Sequence, residues 1–163
     1  MKNKKRINIH KVLTRRPFVE DKHKLHTLFW EVIKDTYYRE GLHHFNKQMK
    51  EILVEKKKYL DTDFSSNGTD RYFLIAELDQ QIVGTIESGP SSKLLNECTN
   101  NKYKNTIELG TVFVVPEYQK LGIGSLLMNA MCKKLADENV NEICLHSGYK
   151  IAGMVWKKIL GKP

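Results

Sequence analysis

Cysteine is scarce in this chain of 163 residues, and what is missing narrows the reading first. Cys98, Cys132 and Cys144 are widely spaced and form no C-x-x-C pair, which removes a disulfide framework and a zinc knuckle. Cys132 and Cys144 fall in apolar segments and read as small buried hydrophobes in a reducing cytoplasm. No apolar run approaches ~18 residues, so no membrane-spanning helix is expected. The basic start, Met1 to Arg6, leads into the alternating Ile7-Asn8-Ile9-His10 rather than an apolar core, and so lacks a secretory signal. His23/His26 and His43/His44 sit among solvated charges without carboxylates or cysteines at ligand spacing, and no metal is expected. Neither an internal repeat nor a linker is visible, so residues 1–163 are read as one domain.

Charge is plentiful and unevenly placed. The net charge is +8, and residues 1–58 hold 16 Lys and Arg against 7 Asp and Glu, while the remainder holds 11 against 12. Such an excess attracts nucleic acid, anionic surfaces or a polyanionic cofactor. The interleaved aromatics of a nucleic-acid module are missing, which disfavours nucleic acid as a partner.

Periodicity then places the elements. Ile7 to Leu13 alternates weakly and predicts a first strand. Leu25, Leu28, Phe29, Val32, Ile33 and Tyr37 recur at helical spacing over Asp21–Arg39, with Gly41 as the stop. Phe45, Met49, Ile52/Leu53 and Tyr59/Leu60 predict a second helix that closes before a polar loop, Asp61–Asp70. Arg71–Leu78 and Gln81–Glu87 are β-rich and separated by the two-residue hairpin loop Asp79-Gln80, and Gly84 marks a bulge or a close approach. A polar connection, Ser88–Asn105, precedes the strand Thr106–Val115. A helix over Gly124–Asn139, a short strand Glu142–His146 and a last helix Ile151–Leu160 complete the chain.

The stretch from Glu108 to Ser125 is the most informative. A buried strand is followed by Pro116-Glu117-Tyr118, a glycine-bearing loop and a helix start. Such a loop aims several backbone N–H groups at one spot, where the helix dipole favours negative charge. Gly122 and Gly124 let a bulky anion reach the main chain. A P-loop requires Lys directly after its last glycine, whereas Gly124 is followed by Ser125. A dinucleotide fingerprint requires a third glycine where Leu127 stands. Gln119-Lys120-Leu121-Gly122-Ile123-Gly124 instead fits Q/R-x-x-G-x-G/A in full. Joined to Val112-x-Val114-x-Pro116-Glu117-Tyr118, it resembles motif A of the GNAT acetyltransferase superfamily.

The resemblance is specific over roughly Arg71–Lys158. It implies an α/β (α+β) fold: a mixed, mostly antiparallel sheet flanked by helices, here without the family's usual C-terminal closing strands. It implies acetyl-CoA as cosubstrate, lying where Thr106–Val115 and Glu142–His146 splay apart. Backbone contacts to the pantetheine arm then fall to Val112 and Val114, and pyrophosphate contacts to Gln119, Lys120, Leu121, Gly122, Ile123, Gly124 and Ser125. Strict alternation puts Glu108, Gly110, Val112 and Val114 on one face of that strand, and Gly110 suits the bulge that relatives carry there. Glu108 is the expected base for the acceptor amine, with Glu87 in reserve. The tyrosine that donates a proton in relatives is replaced by Trp156 in a segment that keeps Ala152, so either Tyr149 substitutes as the acid or the thiolate leaves without a dedicated one.

The implied activity is N-acetylation of a primary amine, on a small molecule or a peptide, by direct attack on the thioester. The alternative is an acyl-CoA-binding module without turnover, favoured by the missing tyrosine and closing strands. An exposed sheet edge would allow two copies to pair as a homodimer.

Overall fold

The protein is described by a computed structural model covering residues 7–161. Five strands lie in the order β1-β2-β3-β4-β5: β1 Leu13–Arg15, β2 Tyr72–Leu78, β3 Gln81–Pro90, β4 Ile107–Val114 and β5 Ile143–Cys144. All neighbours are antiparallel except β4 and β5, which run parallel. The helices are α1 Lys22–Arg39, α2 Asn46–Ser65, α3 Lys93–Cys98, α4 Ile123–Asp137 and α5 Lys150–Leu160. The expected mixed, mostly antiparallel sheet with flanking helices is present, and no strand follows α5 among the described residues.

Each sheet face has its own core. Leu74, Ala76, Ile86 and Leu109 pack on Ile123, Leu127, Met131 and Leu135 of α4. Phe73 and Ile75 pack on the opposite face against Leu25, Phe29, Val32 and Ile33 of α1 and Leu60 of α2. The alternation along β2 makes this division, because successive side chains point to opposite faces. Asp79 and Gln80 both take left-handed backbone angles (φ 49° and 63°), as the tight hairpin turn between β2 and β3 demands. The register slips opposite Ala76/Glu77, beside Gly84.

Several boundaries differ from expectation. The first strand lies at Leu13–Arg15; Ile9–Lys11 forms a single 3-10 turn capped by the Asn8 side chain. Helix α2 runs five residues past Leu60 because its inward polar residue is satisfied. Asp63 is fully buried, and its carboxylate accepts from Arg16 Nη2 (3.0 and 3.1 Å) and from the Phe73 N–H (3.0 Å). Strand β3 continues to Pro90, and the polar connection holds α3, whose N-cap Ser92 accepts from the Leu95 N–H (3.2 Å). Strand β5 shrinks to two residues.

The most consequential difference lies within β4. Thr85 pairs with Phe113 but Glu87 pairs with Gly110, so three steps along β4 oppose two along β3. The extra residue is Thr111, at φ 47°, an unusual conformation for a β-branched residue. Gly110 is therefore not the left-handed residue; it is small for another reason. A Cβ there would lie 2.7 Å from Glu87 Oε1. The break also corrects the expected facing. Ile107 and Leu109 before it, and Val112 and Val114 after it, all pack toward α4, while Phe113 packs toward α1. Glu108 and Gly110 thus face α1 and α2, opposite to the side chains of Val112 and Val114.

Candidate active site

The loop from β4 to α4 begins with a 3-10 turn, Pro116–Tyr118, and ends at Gly122, the N-cap of α4. Lys120 (φ 63°) and Gly122 (φ 90°) both turn left-handed, which folds the main chain back on itself. Glycine at 122 avoids the Cβ penalty of that conformation. From Lys120 through Ser125 no backbone N–H has an acceptor among the described residues; the first helical bond of α4 is from the Leu126 N–H to the Gly122 carbonyl (3.0 Å). A run of consecutive amides without partners at a helix start fits an anion with several oxygens. A Cβ built at Gly124 meets nothing within 4 Å. Packing among the described residues therefore does not demand a glycine at 124, whereas close approach by an anion would. The cradle fits a pyrophosphate.

The residues expected to hold that group divide into two kinds. Lys120, Leu121, Gly122, Ile123, Gly124 and Ser125 offer free amides; the Ile123 side chain is buried beneath the loop. Gln119 shapes the loop instead. Its side-chain amide donates to the Val114 carbonyl (2.9 Å) and its backbone N–H to the Pro116 carbonyl (3.4 Å). Beyond Glu108 the outer edge of β4 has no strand partner among the described residues. The Val115 N–H donates inward to Val83 (3.0 Å), so by alternation the N–H groups of Val112 and Val114 point to the open edge. That edge runs directly into the cradle.

Two buried carboxylates, each with its own partners, lie on the α1/α2 side of the sheet. Glu108 is buried, at 7% exposure, and spans two elements: Oε1 lies 2.7 Å from His146 Nδ1, and Oε2 accepts from the Ser92 N–H at the start of α3. Burial pushes its carboxyl up, but the hydrogen bonds from His146 and Ser92 outweigh burial and hold it below the ordinary carboxylate range. Glu87, directly opposite Gly110, is 2% exposed and bonded to Arg71 Nη1 and to the Thr111 hydroxyl (3.2 Å). Burial pushes its carboxyl up, and the Arg71 guanidinium and Thr111 restrain that rise. Arg71 itself stacks over the Tyr59 ring, 3.6 Å from its centroid.

Tyr149, the expected acid, precedes α5 and packs edge-on against Tyr37 of α1, with ring centroids 5.6 Å apart. Burial, a hydrogen bond with Tyr37 and the charge of Glu40 push its hydroxyl well up. That makes it a weak proton donor and a firm tie between the β5–α5 connection and α1. The side chains of Ala152 and Trp156 lie outside the described residues, as do Met1 to Arg6. Sequence reasoning missed Ser92, Thr111, Arg71 and His146. Of these only Ser92 carried a local signal, a serine just ahead of Leu94-Leu95; the others are joined to the site by register.

Comparison with known proteins places the fold in a family. The sequence model of the acetyltransferase (GNAT) family matches residues 23–154. The chain belongs to that family. Among solved structures it is similar to PaiA N-acetyltransferase from Thermoplasma acidophilum in complex with coenzyme A. The identity is 22% over 90% of this chain and 87% of that one, with a TM-score of 0.70. A GCN5-related N-acetyltransferase from Ralstonia eutropha is 12% identical over 93% of each chain, with a TM-score of 0.67. A GNAT family acetyltransferase from Brucella melitensis in complex with acetyl-CoA is 22% identical over 88% and 82%, with a TM-score of 0.59. At these identities the likeness shows the fold. A comparison with curated protein sequences finds no match. No helix among the described residues is long and apolar enough to cross a membrane.

Proposed function

We propose that the protein transfers an acetyl group from acetyl-CoA to a primary amine. The observation that carries this reading is the run of unpartnered amides from Lys120 to Ser125, continuous with the open edge of β4 at Val112 and Val114. The run holds the pyrophosphate of the cosubstrate, and the edge pairs with its pantetheine arm as a missing strand would. Acetyl-CoA supplies the activated acyl group; the chain supplies its placement. The thioester then lies where β4 and β5 part, beside the Glu108–His146 pair and on the side open to α1 and α2. There the acceptor loses its proton before attacking the carbonyl carbon. The acceptor is a small molecule or a peptide bearing the amine. Cys98, Cys132 and Cys144 are all free, as the reducing cytoplasm to which we assign the protein requires.

A second reading has one observation in its favour. Tyr149 is tied to Tyr37 and is a weak acid, so no proton donor for the departing thiolate is evident among the described residues. Under that reading the protein binds acyl-CoA without turnover. The test separates the two. Thermal shift with acetyl-CoA, CoA, ATP and NAD should show stabilisation by the first two alone; ligand at ~100 times its Kd adds about 2.7 kcal/mol. Thiol release from acetyl-CoA in the presence of primary amines then identifies a transferase. Binding without release in any amine leaves the sensor reading, and absence of binding refutes both.

A further inference from the structure

Glu108 is the last residue of β4 that β5 pairs, opposite Cys144, and His146 follows two residues beyond. The strands separate there, and the Glu108–His146 contact at 2.7 Å bridges the point of separation. Both carboxylate oxygens are engaged, one by His146 and one by the Ser92 N–H. A carboxylate so satisfied, and held below its ordinary range, is a poor acceptor for a proton from an ammonium group. What it does well is orient an imidazole. With a carboxylate on Nδ1, the ring carries its proton there and keeps its lone pair on Nε2. Nε2 has no hydrogen-bond partner among the described residues, and the His146 side chain is 39% exposed.

We propose that His146 is the general base of the acetyl transfer and that Glu108 is the residue that positions it. The proposal rests on the N-acetyltransferase reading above. Nε2 takes one proton from the acceptor ammonium, leaving a free amine and an imidazolium that releases the proton to solvent. The amine nitrogen bonds to the thioester carbonyl carbon, the carbon–sulfur bond breaks, and the electron pair leaves on sulfur. The second proton of the attacking nitrogen passes to that sulfur, so the products are the amide, CoA thiol and one proton. The arrangement has the logic of other base–orienter pairs, in which a buried carboxylate stabilises the imidazolium as it forms.

The titratable groups around the pair are few. Glu108 faces it from β4, and Cys144 of β5 is acted on by the charges of Glu108 and of Glu142, just ahead of that strand. On α3, Lys93 and Glu97 pair with each other at 3.6 Å. Tyr149 lies on the connection to α5.

The experiment measures kcat/KM against pH with acetyl-CoA and spermidine, glycinamide or trialanine, in the wild type, His146→Gln and Glu108→Gln. We expect His146→Gln to lose at least about 100-fold at neutral pH, to lose the acid limb, and to keep its affinity for CoA. Added imidazole should restore part of that rate in a His146→Ala variant. Glu108→Gln should lose less and move the limb to lower pH, since the imidazolium loses its anionic partner. The His146 Hε1 resonance should move the same way without substrate. A merely structural role for Glu108 would move neither. A wild-type acid limb in His146→Gln, or an unshifted limb and resonance in Glu108→Gln, overturns the proposal while leaving the transferase reading intact. Wild-type protein that binds acetyl-CoA and acetylates none of the amines overturns that reading and the base together.

Discussion

On its β3 side, β4 is paired from Ile107 to Val114 and interrupted only at Thr111 and Val112; on its β5 side it is paired only at Ile107 and Glu108. Each side carries one glutamate on the same face of the sheet. Glu87, on the closed side, is locked between Arg71 and Thr111 and reaches no open edge. Glu108, on the open side, joins two elements through Ser92 and an exposed His146. The closed side fixes where the strand lies, and it does so with a buried ion pair beneath a strained residue. The open side leaves main-chain groups for a ligand that completes the sheet. Two carboxylates on neighbouring strands thus acquire different work from the bonding of the strand edge beside them.

Breaking the closed side should have the largest effect. Arg71→Met leaves Glu87 charged and buried without its cation, and is expected to destabilise by about 3–5 kcal/mol at pH 7, read from the urea midpoint. The loss should shrink on acidification. With its folded pKa raised, Glu87 binds more protons folded than unfolded, so stability falls as pH rises from the ordinary carboxylate value of about 4.3 and is recovered below it. An acid-independent deficit would show that Arg71 acts by packing on Tyr59 instead. Next comes Gly110→Ala, whose methyl would meet Glu87 Oε1 at 2.7 Å. About 1–3 kcal/mol of overpacking is expected, and pairing it with Glu87→Gln in a double-mutant cycle should reveal coupling.

The open side is broken by Gly124→Val. Beyond its chain neighbours and its own helix turn, no described residue lies within 4 Å of the new Cβ, so the thermal midpoint should hardly move. CoA affinity should fall at least about tenfold, or ~1.4 kcal/mol, measured by calorimetry. Unchanged affinity would remove the cradle.

The cradle was legible because it is local. Gln119, Gly122 and Gly124 lie within one loop, and each position states its own backbone or contact requirement. The apolar stripe of α1, Leu25 to Tyr37, was legible for the same reason, since its period is set within one helix. The facing of Glu108 was not. Alternation predicts a face only while the register holds, and the break, expected at Gly110, falls at Thr111, between Glu108 and Val112. The pairing of Glu108 with His146 spans 38 residues and depends on where β5 ends, which two half-buried residues, Ile143 and Cys144, settle weakly. Asp63 misled in the other direction. A polar residue read as loop became the buried end of α2 because Arg16, far away in sequence, meets it.

The smallest effect separates the two glutamates most directly. Glu108→Gln keeps the shape of the side chain but presents an amide N–H₂ to one of two donors, and about 1 kcal/mol of stability should be lost at pH 7. In the wild type the contribution of Glu108 runs opposite in pH to that of Glu87, although both variants' deficits shrink in acid. The folded pKa of Glu108 is lowered, so the folded protein binds fewer protons than the unfolded chain between the two values, and stability rises with pH there. The contribution is complete above about pH 4.3, the ordinary glutamate value, and disappears as pH falls through the folded one. The wild type and Glu108→Gln should therefore differ in urea midpoint at pH 7 and converge in acid. Convergence means that the Ser92 and His146 bonds require the charged carboxylate. A constant difference would mean that the glutamine fails for its shape, and that the ion at 108 contributes nothing to holding the two strands where they part.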